Sequence, residues 1–155
     1  MENEKYMQEA IELSIESVKS GGGPFGAVVV KDGVVISKAS NSVTLTSDPT
    51  AHAEVNAIRE ACKKLGTFSL SGCDLYTSCE PCPMCLGAAY WAGVKRIYYG
   101  NTRADAKQID FDDSFIYDEI PLDPSKRSIP SEQLLHDHAI LAFEMWSEKE
   151  DKVEY

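Results

Sequence analysis

Residues 51–100 alternate between helical and extended sequence patterns, and this alternation limits the chain to a small group of folds. The stretch 51–65 is rich in Ala, Glu, Arg and Lys and predicts a helix, and CDLYTS (73–78) predicts a short strand. PMCLGAAYWAG predicts a second helix that ends at Gly93, and VKRIYYG predicts the next strand. Because strands separated by helices need crossover connections, we expect an α/β fold whose sheet is covered by helices.

The remaining segments add a helix, a hairpin and a last helix. Apolar residues recur at helical spacing over residues 4–19. Two Val-rich runs flank Asp32-Gly33, and Asp-Gly favours a type I′ hairpin turn because both of its residues tolerate positive φ. We interpret NSVTLTSDPT as a loop and expect a helix over 137–149, whereas residues 101–135 mix acidic and turn residues and predict no regular element.

Length, charge and apolar content favour one cytoplasmic domain that acts on a small molecule. A chain of 155 residues fits a single domain, 1–155. The net charge is −10 and no basic run is present, which disfavours a nucleic-acid partner. No apolar run is long enough to span a membrane, and the acidic start MENEKYMQEA does not resemble a signal peptide, so we expect a cytoplasmic protein.

Three of the five cysteines are concentrated in TSCEPCPMC (77–85). They allow three interpretations: a disulfide, a closed structural metal site, or an open metal site that does chemistry. A reducing cytoplasm and an odd number of cysteines disfavour the disulfide. The choice between the two metal sites depends on the other ligands.

Cys82 and Cys85 are three residues apart at an expected helix start, so their sulfur atoms lie on one side of the helix. Pro83 suits the first helical position, because its missing N–H would have no intrahelical partner there. The positive end of the helix favours thiolates, which are the form that binds metal. One C-x₂-C pair is only half of a zinc site.

The other half is offered by His52 and Glu54 in TAHAEV, which we place in the first turn of the helix at 51–65. Taken singly, the two residues suit a capping histidine and an acidic residue in a first helical turn. Residues two apart do not face each other on a helix, so His52 and Glu54 cannot easily both bind one ion. An arrangement in which His52 binds the metal and Glu54 reaches a metal-bound water is easier to build.

The combined pattern H-x-E…P-C-x-x-C is the signature of zinc-dependent nucleobase deaminases. Through HAE (52–54) and PCPMC (81–85) the chain resembles the cytidine/deoxycytidylate deaminase superfamily. The resemblance implies a three-layer α/β/α fold with a central five-stranded mixed sheet. It also implies one Zn²⁺ per chain, held by His52, Cys82 and Cys85, with Glu54 as the catalytic proton carrier.

Cys79 leaves an alternative for the metal site. With His52, Cys82 and Cys85 it would make a closed Cys₃His site, which is structural and catalytically idle. Glu54 would then have no role, and the superfamily uses only the two cysteines of P-C-x-x-C. We therefore expect an open site and interpret Cys79 as a partly buried loop thiol.

Within the superfamily the chain looks most like bacterial guanine deaminases, which convert the free purine base guanine to xanthine and ammonia. The stretches that carry this resemblance are GGPFGAVVVKDG, NSVTLTSDPTAHAEVNAIR, LYTSCEPCPMCLGAAYWA, FDDSFIYDEI and the final EY. It implies that Phe25, Asn41, Asp113 and Tyr155 contact the base. It also implies a homodimer in which the C-terminal segment is exchanged, so that Tyr155 can serve the partner's site.

Three alternatives stay open on the sequence. A tRNA adenosine deaminase of the same fold is disfavoured by the −10 charge. A cytosine- or cytidine-type deaminase is disfavoured by the FDDSF segment. A non-catalytic, zinc-stabilised binding module is disfavoured by Glu54 and by a ligand set that leaves one position open.

Overall fold

The computed structural model describes residues 1–155 and contains one four-stranded mixed sheet. The helices are α1 (Glu2–Lys19), α2 (Val43–Thr46), α3 (Ala53–Leu65), α4 (Pro83–Ala92), α5 (Arg103–Gln108), α6 (Ser114–Glu119) and α7 (His136–Glu148), with a 3₁₀ turn at Pro124–Lys126. The strands are β1 (Gly26–Lys31), β2 (Val34–Ser40), β3 (Cys73–Cys79) and β4 (Arg96–Asn101). The strand order is β2-β1-β3-β4. Strand β1 is antiparallel to β2 and β3, and β3 is parallel to β4.

The expected hairpin is confirmed. Strands β1 and β2 pair with Lys31 opposite Val34, and Asp32 and Gly33 form the two-residue connection. Both residues have positive φ, 49° and 76°, as a type I′ turn requires. The turn is also held by the Tyr6 hydroxyl of α1, which donates to the Gly33 carbonyl oxygen at 2.7 Å.

Side chains of β3 alternate between two hydrophobic clusters, one on each face of the sheet. Leu75 belongs to the cluster that contains the buried alanines of α3 and α4, whereas Tyr76 belongs to the cluster that contains Tyr6 and Ala10 of α1. Helix α1 therefore covers one face, and α3 and α4 cover the other. The expected three-layer α/β/α arrangement is confirmed.

The expected number of strands is wrong: the sheet has four strands, not five. After β4, Thr102 is the N-cap of α5 and forms a capping box with Asp105, so the chain continues as a helix. Every later regular element is helical. The segment before α7 contains Pro121, Pro124 and Pro130, which lack the N–H that a strand ladder needs.

The chain forms two compact units, Met1–Asp113 and Ser114–Tyr155. The first contains the sheet and α1 to α5, including the short helix α2 in the segment interpreted as a loop. In the second, the Ser128 backbone N–H and hydroxyl donate to the Glu119 carboxylate at 2.6 and 2.7 Å. None of the helices has both the length and the apolar composition that crossing a bilayer requires.

Candidate metal centre and active site

Helices α3 and α4 begin close together, and three side chains that can bind a metal lie at these helix starts. His52 is the N-cap of α3, one position before the first turn in which the sequence placed it, and Cys82 is the N-cap of α4. Pro83 occupies the start of α4 as expected, and Cys85 follows one turn later. The sulfur atoms of Cys82 and Cys85 each lie 3.5 Å from His52 Nδ1.

The three ligand atoms lie within 4.8 Å of one another, close enough to bind a single ion. One imidazole nitrogen and two thiolate sulfurs are ligands that zinc prefers, and three protein ligands leave a fourth position for water or substrate. The residues therefore fit a catalytic zinc ion.

The interaction between the two thiols shifts their pKa values in opposite directions. The Cys85 thiol donates a hydrogen bond to Cys82 and lowers the pKa of Cys82, and the neighbouring His52 lowers it further. The same interaction raises the pKa of Cys85, to which burial and the charge of Glu54 also contribute. Because zinc binds thiolates, metal binding would release any proton that either sulfur still holds.

Glu54 lies in the first turn of α3 and is buried, with 5% of its surface exposed. Its Oε1 accepts a hydrogen bond from the Thr77 hydroxyl at 3.0 Å, and its Oε2 lies 3.4 Å from Cys85 Sγ. Burial raises the pKa of Glu54, and the hydrogen bonds offset this only in part. The geometry places a carboxylate that can accept a proton directly beside the ligand atoms.

Cys79 is not one of the clustered ligands. It is the last residue of β3 rather than a loop residue, it is buried, and its Sγ points to the Thr102 carbonyl oxygen at 3.8 Å. Burial, followed by the charges of Glu54 and Asp113, raises the pKa of Cys79 to about 11. Because its sulfur contacts the Thr102 carbonyl oxygen and lies outside the cluster of ligand atoms, the closed four-ligand site gains no support.

Two expected base-contacting residues lie in the segment between α1 and α3. Asn41 is buried, and its Oδ1 accepts the Val43 backbone N–H at 3.1 Å, which leaves Nδ2 as the donor of the amide. Phe25 precedes β1 and packs edge-on against Phe111 with ring centroids 5.0 Å apart. The Ser17 hydroxyl donates to the Gly23 carbonyl oxygen at 2.6 Å and ties the glycine-rich segment to α1.

Asp113 and Tyr155 fall in different units of the chain. Asp113 is partly buried and forms an ion pair with Arg103 at 3.3 Å. Its charge contributes, after burial and the charge of Glu54, to the raised pKa of the Cys79 thiol, and its contact with the base stays a prediction. Tyr155 belongs to the second unit and is 84% exposed, so its contact with the base stays a prediction.

Sequence reasoning missed three residues that organise this region: Thr77, Arg103 and Asn56. The Asn56 amide donates to the Ser40 and Ala51 carbonyl oxygens and to the Ser42 hydroxyl, which fixes the segment before α3. Only Thr77 had a usable signal. It shares one side of β3 with the buried residues Cys73 and Leu75, and a hydroxyl at such a position needs a partner.

Residues 1–101 match the profile of the cytidine and deoxycytidylate deaminase zinc-binding region. The chain belongs to this family. It is 51% identical to the guanine deaminase of Bacillus subtilis (strain 168), with 100% of both chains covered. It is also 42% identical to the tRNA-specific adenosine deaminase of Aquifex aeolicus, over 64% of this chain and 66% of that protein.

Two members of the deaminase family with solved structures show how far the similarity extends. The crystal structure of Bacillus subtilis guanine deaminase superimposes with a TM-score of 0.97, covering 100% of this chain and 99% of that chain. Guanine deaminase from Nitrosomonas europaea superimposes with a TM-score of 0.67 at 36% identity, covering 70% of this chain and 63% of that chain. The first match therefore includes the helical C-terminal unit.

Proposed function

We propose that this deaminase converts guanine and water to xanthine and ammonia. The observation that carries the proposal is the similarity to Bacillus subtilis guanine deaminase, 51% identical over 100% of both chains. The local geometry supports it, because three ligand atoms and a buried carboxylate meet at the starts of two helices.

His52, Cys82 and Cys85 would hold one zinc ion per chain. Zinc bound there supplies a nucleophile, because it lowers the pKa of a coordinated water from about 15.7 towards about 7. The metal ligands are the two thiols and the imidazole, so Glu54 lies outside the ligand set and is free to transfer protons.

Glu54 moves the protons of the reaction. Its carboxylate accepts a proton from the attacking water as the water oxygen bonds to the carbon that carries the exocyclic amine. Glu54 donates this proton to the adjacent ring nitrogen. It then transfers the proton of the new hydroxyl to the amine, so that a carbonyl forms, the C–N bond breaks and ammonia leaves.

Asn41, Asp113 and Phe25 would recognise the base through different groups. The Nδ2 of Asn41 donates to a ring acceptor, since its Oδ1 is already engaged by Val43. The Asp113 carboxylate accepts from N–H groups, and the Phe25 ring covers an apolar face. An edge that mixes donors and acceptors, as that of guanine does, needs both an amide and a carboxylate.

We further propose a homodimer in which the C-terminal segment is exchanged and Tyr155 closes the partner's site. The support is the exposed apolar surface of the second unit, in which α7 buries no residue. The free thiols and thiolate ligands fit the reducing cytoplasm that we expect for this protein.

The proposal is tested by ammonia release from a panel of guanine, adenine, cytosine, cytidine and an adenosine-bearing tRNA stem-loop. We expect guanine to be far the best substrate, because buried polar groups left unpaired by a mismatched base cost about 10⁴–10⁵-fold in specificity. Editing of the stem-loop without guanine activity would contradict the proposal, and the 42% identity to a tRNA-specific enzyme is the reason to include it. If the protein binds zinc but releases ammonia from none of these compounds, the non-catalytic binding module becomes the better interpretation.

A further inference from the structure

We propose that Thr77 is a positioning residue for Glu54, and that its hydroxyl holds the Glu54 carboxylate in the orientation that proton transfer needs. The inference rests on the proposed function, in which Glu54 carries protons. It concerns a contact between β3 and α3 that the mechanism so far does not use.

The first step of the argument is where Thr77 points. It occupies the same side of β3 as Leu75, facing α3, and none of its surface is exposed. Its Oγ1 lies 3.0 Å from Glu54 Oε1 and 3.1 Å from the Cys79 carbonyl oxygen. One hydroxyl proton therefore faces two acceptors.

The second step is that the hydroxyl is not needed for packing. The neighbours of Thr77 on this side of β3, Cys73 and Leu75, are apolar members of the core, and valine has nearly the same shape as threonine. Burying a hydroxyl costs free energy unless it is hydrogen-bonded. Since threonine is β-branched, its χ1 is restricted and Oγ1 is held in place.

The third step concerns what Glu54 would lose without this contact. Only 5% of Glu54 is exposed, so little water can replace the Thr77 hydroxyl as the hydrogen-bond donor to Oε1. The contact ties Oε1 to β3, while Oε2 lies 3.4 Å from Cys85 Sγ, beside the ligand atoms. Thr77 thereby keeps the carboxylate in one orientation, with Oε2 free to carry protons.

The test compares Thr77→Val, which removes the hydroxyl and keeps the shape, with Thr77→Ser, which keeps the hydroxyl. We expect Thr77→Val to lower kcat by about 10–100-fold with little change in KM, because an interaction that acts in the transition state is lost. We expect Thr77→Ser to recover most of kcat. Zinc content should match the wild type in both variants, and crystal structures should show a displaced Glu54 carboxylate only in Thr77→Val.

A double variant separates positioning from a general packing effect. In a Glu54→Gln background, Thr77→Val should cost little further, since no carboxylate remains to be oriented. A wild-type kcat in Thr77→Val, an equal loss in Thr77→Ser, or a full additional loss in the double variant would each overturn the inference. The rates are measured on whichever base of the panel is turned over fastest, so failure of guanine as substrate leaves this test intact.

Discussion

At the scale of single residues, Glu54 shows a conflict between folding stability and catalysis, because proton transfer needs a carboxylate that is costly to bury. Burial raises the pKa of its carboxyl group, so an ionised Glu54 costs folding free energy at neutral pH. The hydrogen bond from Thr77 offsets part of this cost. A buried carboxylate that does not bind the metal is explained by a role in proton transfer.

Glu54→Gln keeps the size of the side chain and removes the base. We expect guanine turnover to fall by about 10²–10⁴-fold or more, because one group carries several proton transfers. Zinc should remain at one ion per chain, and the metal-free protein should melt no earlier than the wild type, since an amide has no charge to desolvate. Ammonia release measures turnover, and metal analysis measures zinc content. Turnover near the wild-type rate would contradict the mechanism.

The cysteines of TSCEPCPMC also differ residue by residue. Cys82→Ser and Cys85→Ser should each lose zinc and activity, because each removes one of three ligands. Cys79→Ser is the matched control and should keep one zinc per chain, since the Cys79 sulfur lies outside the cluster of ligand atoms and contacts the Thr102 carbonyl oxygen. Loss of zinc from Cys79→Ser would favour the closed four-ligand site. The measurement is zinc content after gel filtration.

At the scale of elements, the glycine-rich segment after α1 packs so closely against Asn41 that a larger residue in the segment would displace it. A Cβ at Gly23 would lie 3.0 Å from Asn41 Cγ. A Cβ at Gly22 would lie 2.5 Å from Ser17 Oγ and 2.7 Å from the Asn41 carbonyl oxygen. The segment thus positions an expected base-contacting side chain through close packing rather than through flexibility.

Gly23→Ala should therefore displace the Asn41 amide. We expect KM for guanine to rise about tenfold with a smaller change in kcat, because a contact made in both the ground state and the transition state is weakened. Gly87→Ala in α4 is the control, since a Cβ there meets nothing within 4 Å and alanine favours a helix. An unchanged KM in Gly23→Ala would mean that Asn41 does not bind the base. Steady-state kinetics with guanine decides.

The elements that could be predicted from the sequence are those with a local cause. The Asp32-Gly33 turn, the proline at the start of α4 and the apolar spacing of α1 each follow from neighbouring residues. The candidate ligands His52, Cys82 and Cys85 were predicted from the H-x-E…P-C-x-x-C pattern and the resemblance that it carries, and the structure brings their ligand atoms within 4.8 Å of one another.

What could not be predicted depends on contacts between distant parts of the chain. Thr77 meets Glu54 across 23 residues, and which side of β3 it occupies is fixed only once the sheet has formed. The short helices α2 and α5 carry too few residues for a periodic pattern. The fifth strand came from the resemblance, and the capping box at Thr102 could have indicated the helix that follows β4 instead.

At the scale of the whole molecule, the second unit exposes many large apolar side chains that a monomeric protein would normally bury. No residue of α7 is buried, and Phe143 and Met145 are each 74% exposed. Large exposed apolar patches mark interaction sites. In the homodimer that we propose, a second copy of the chain covers this apolar surface.

A chain that ends at Glu154 tests what Tyr155 does in that dimer. We expect guanine turnover to fall severely while zinc content and melting temperature stay close to the wild type, because Tyr155 is 84% exposed and lies far in sequence from the metal ligands. Tyr155→Phe separates the ring from the hydroxyl: a loss as large as that of the deletion would assign the effect to the hydroxyl. Full activity of the shortened chain would mean that Tyr155 does not take part in the site.

Mixed dimers decide whether the tail acts on its own subunit or on the partner. Glu54→Gln chains have an intact tail, and chains that end at Glu154 have an intact Glu54, so neither homodimer should turn over guanine efficiently. If the tail acts on the partner, one site of each mixed dimer combines an intact Glu54 with an intact Tyr155, and part of the activity returns. If the tail acts on its own subunit, every site of the mixed dimer lacks one of the two groups. Recovery in tagged, purified mixed dimers therefore supports exchange of the C-terminal segment, and no recovery contradicts it.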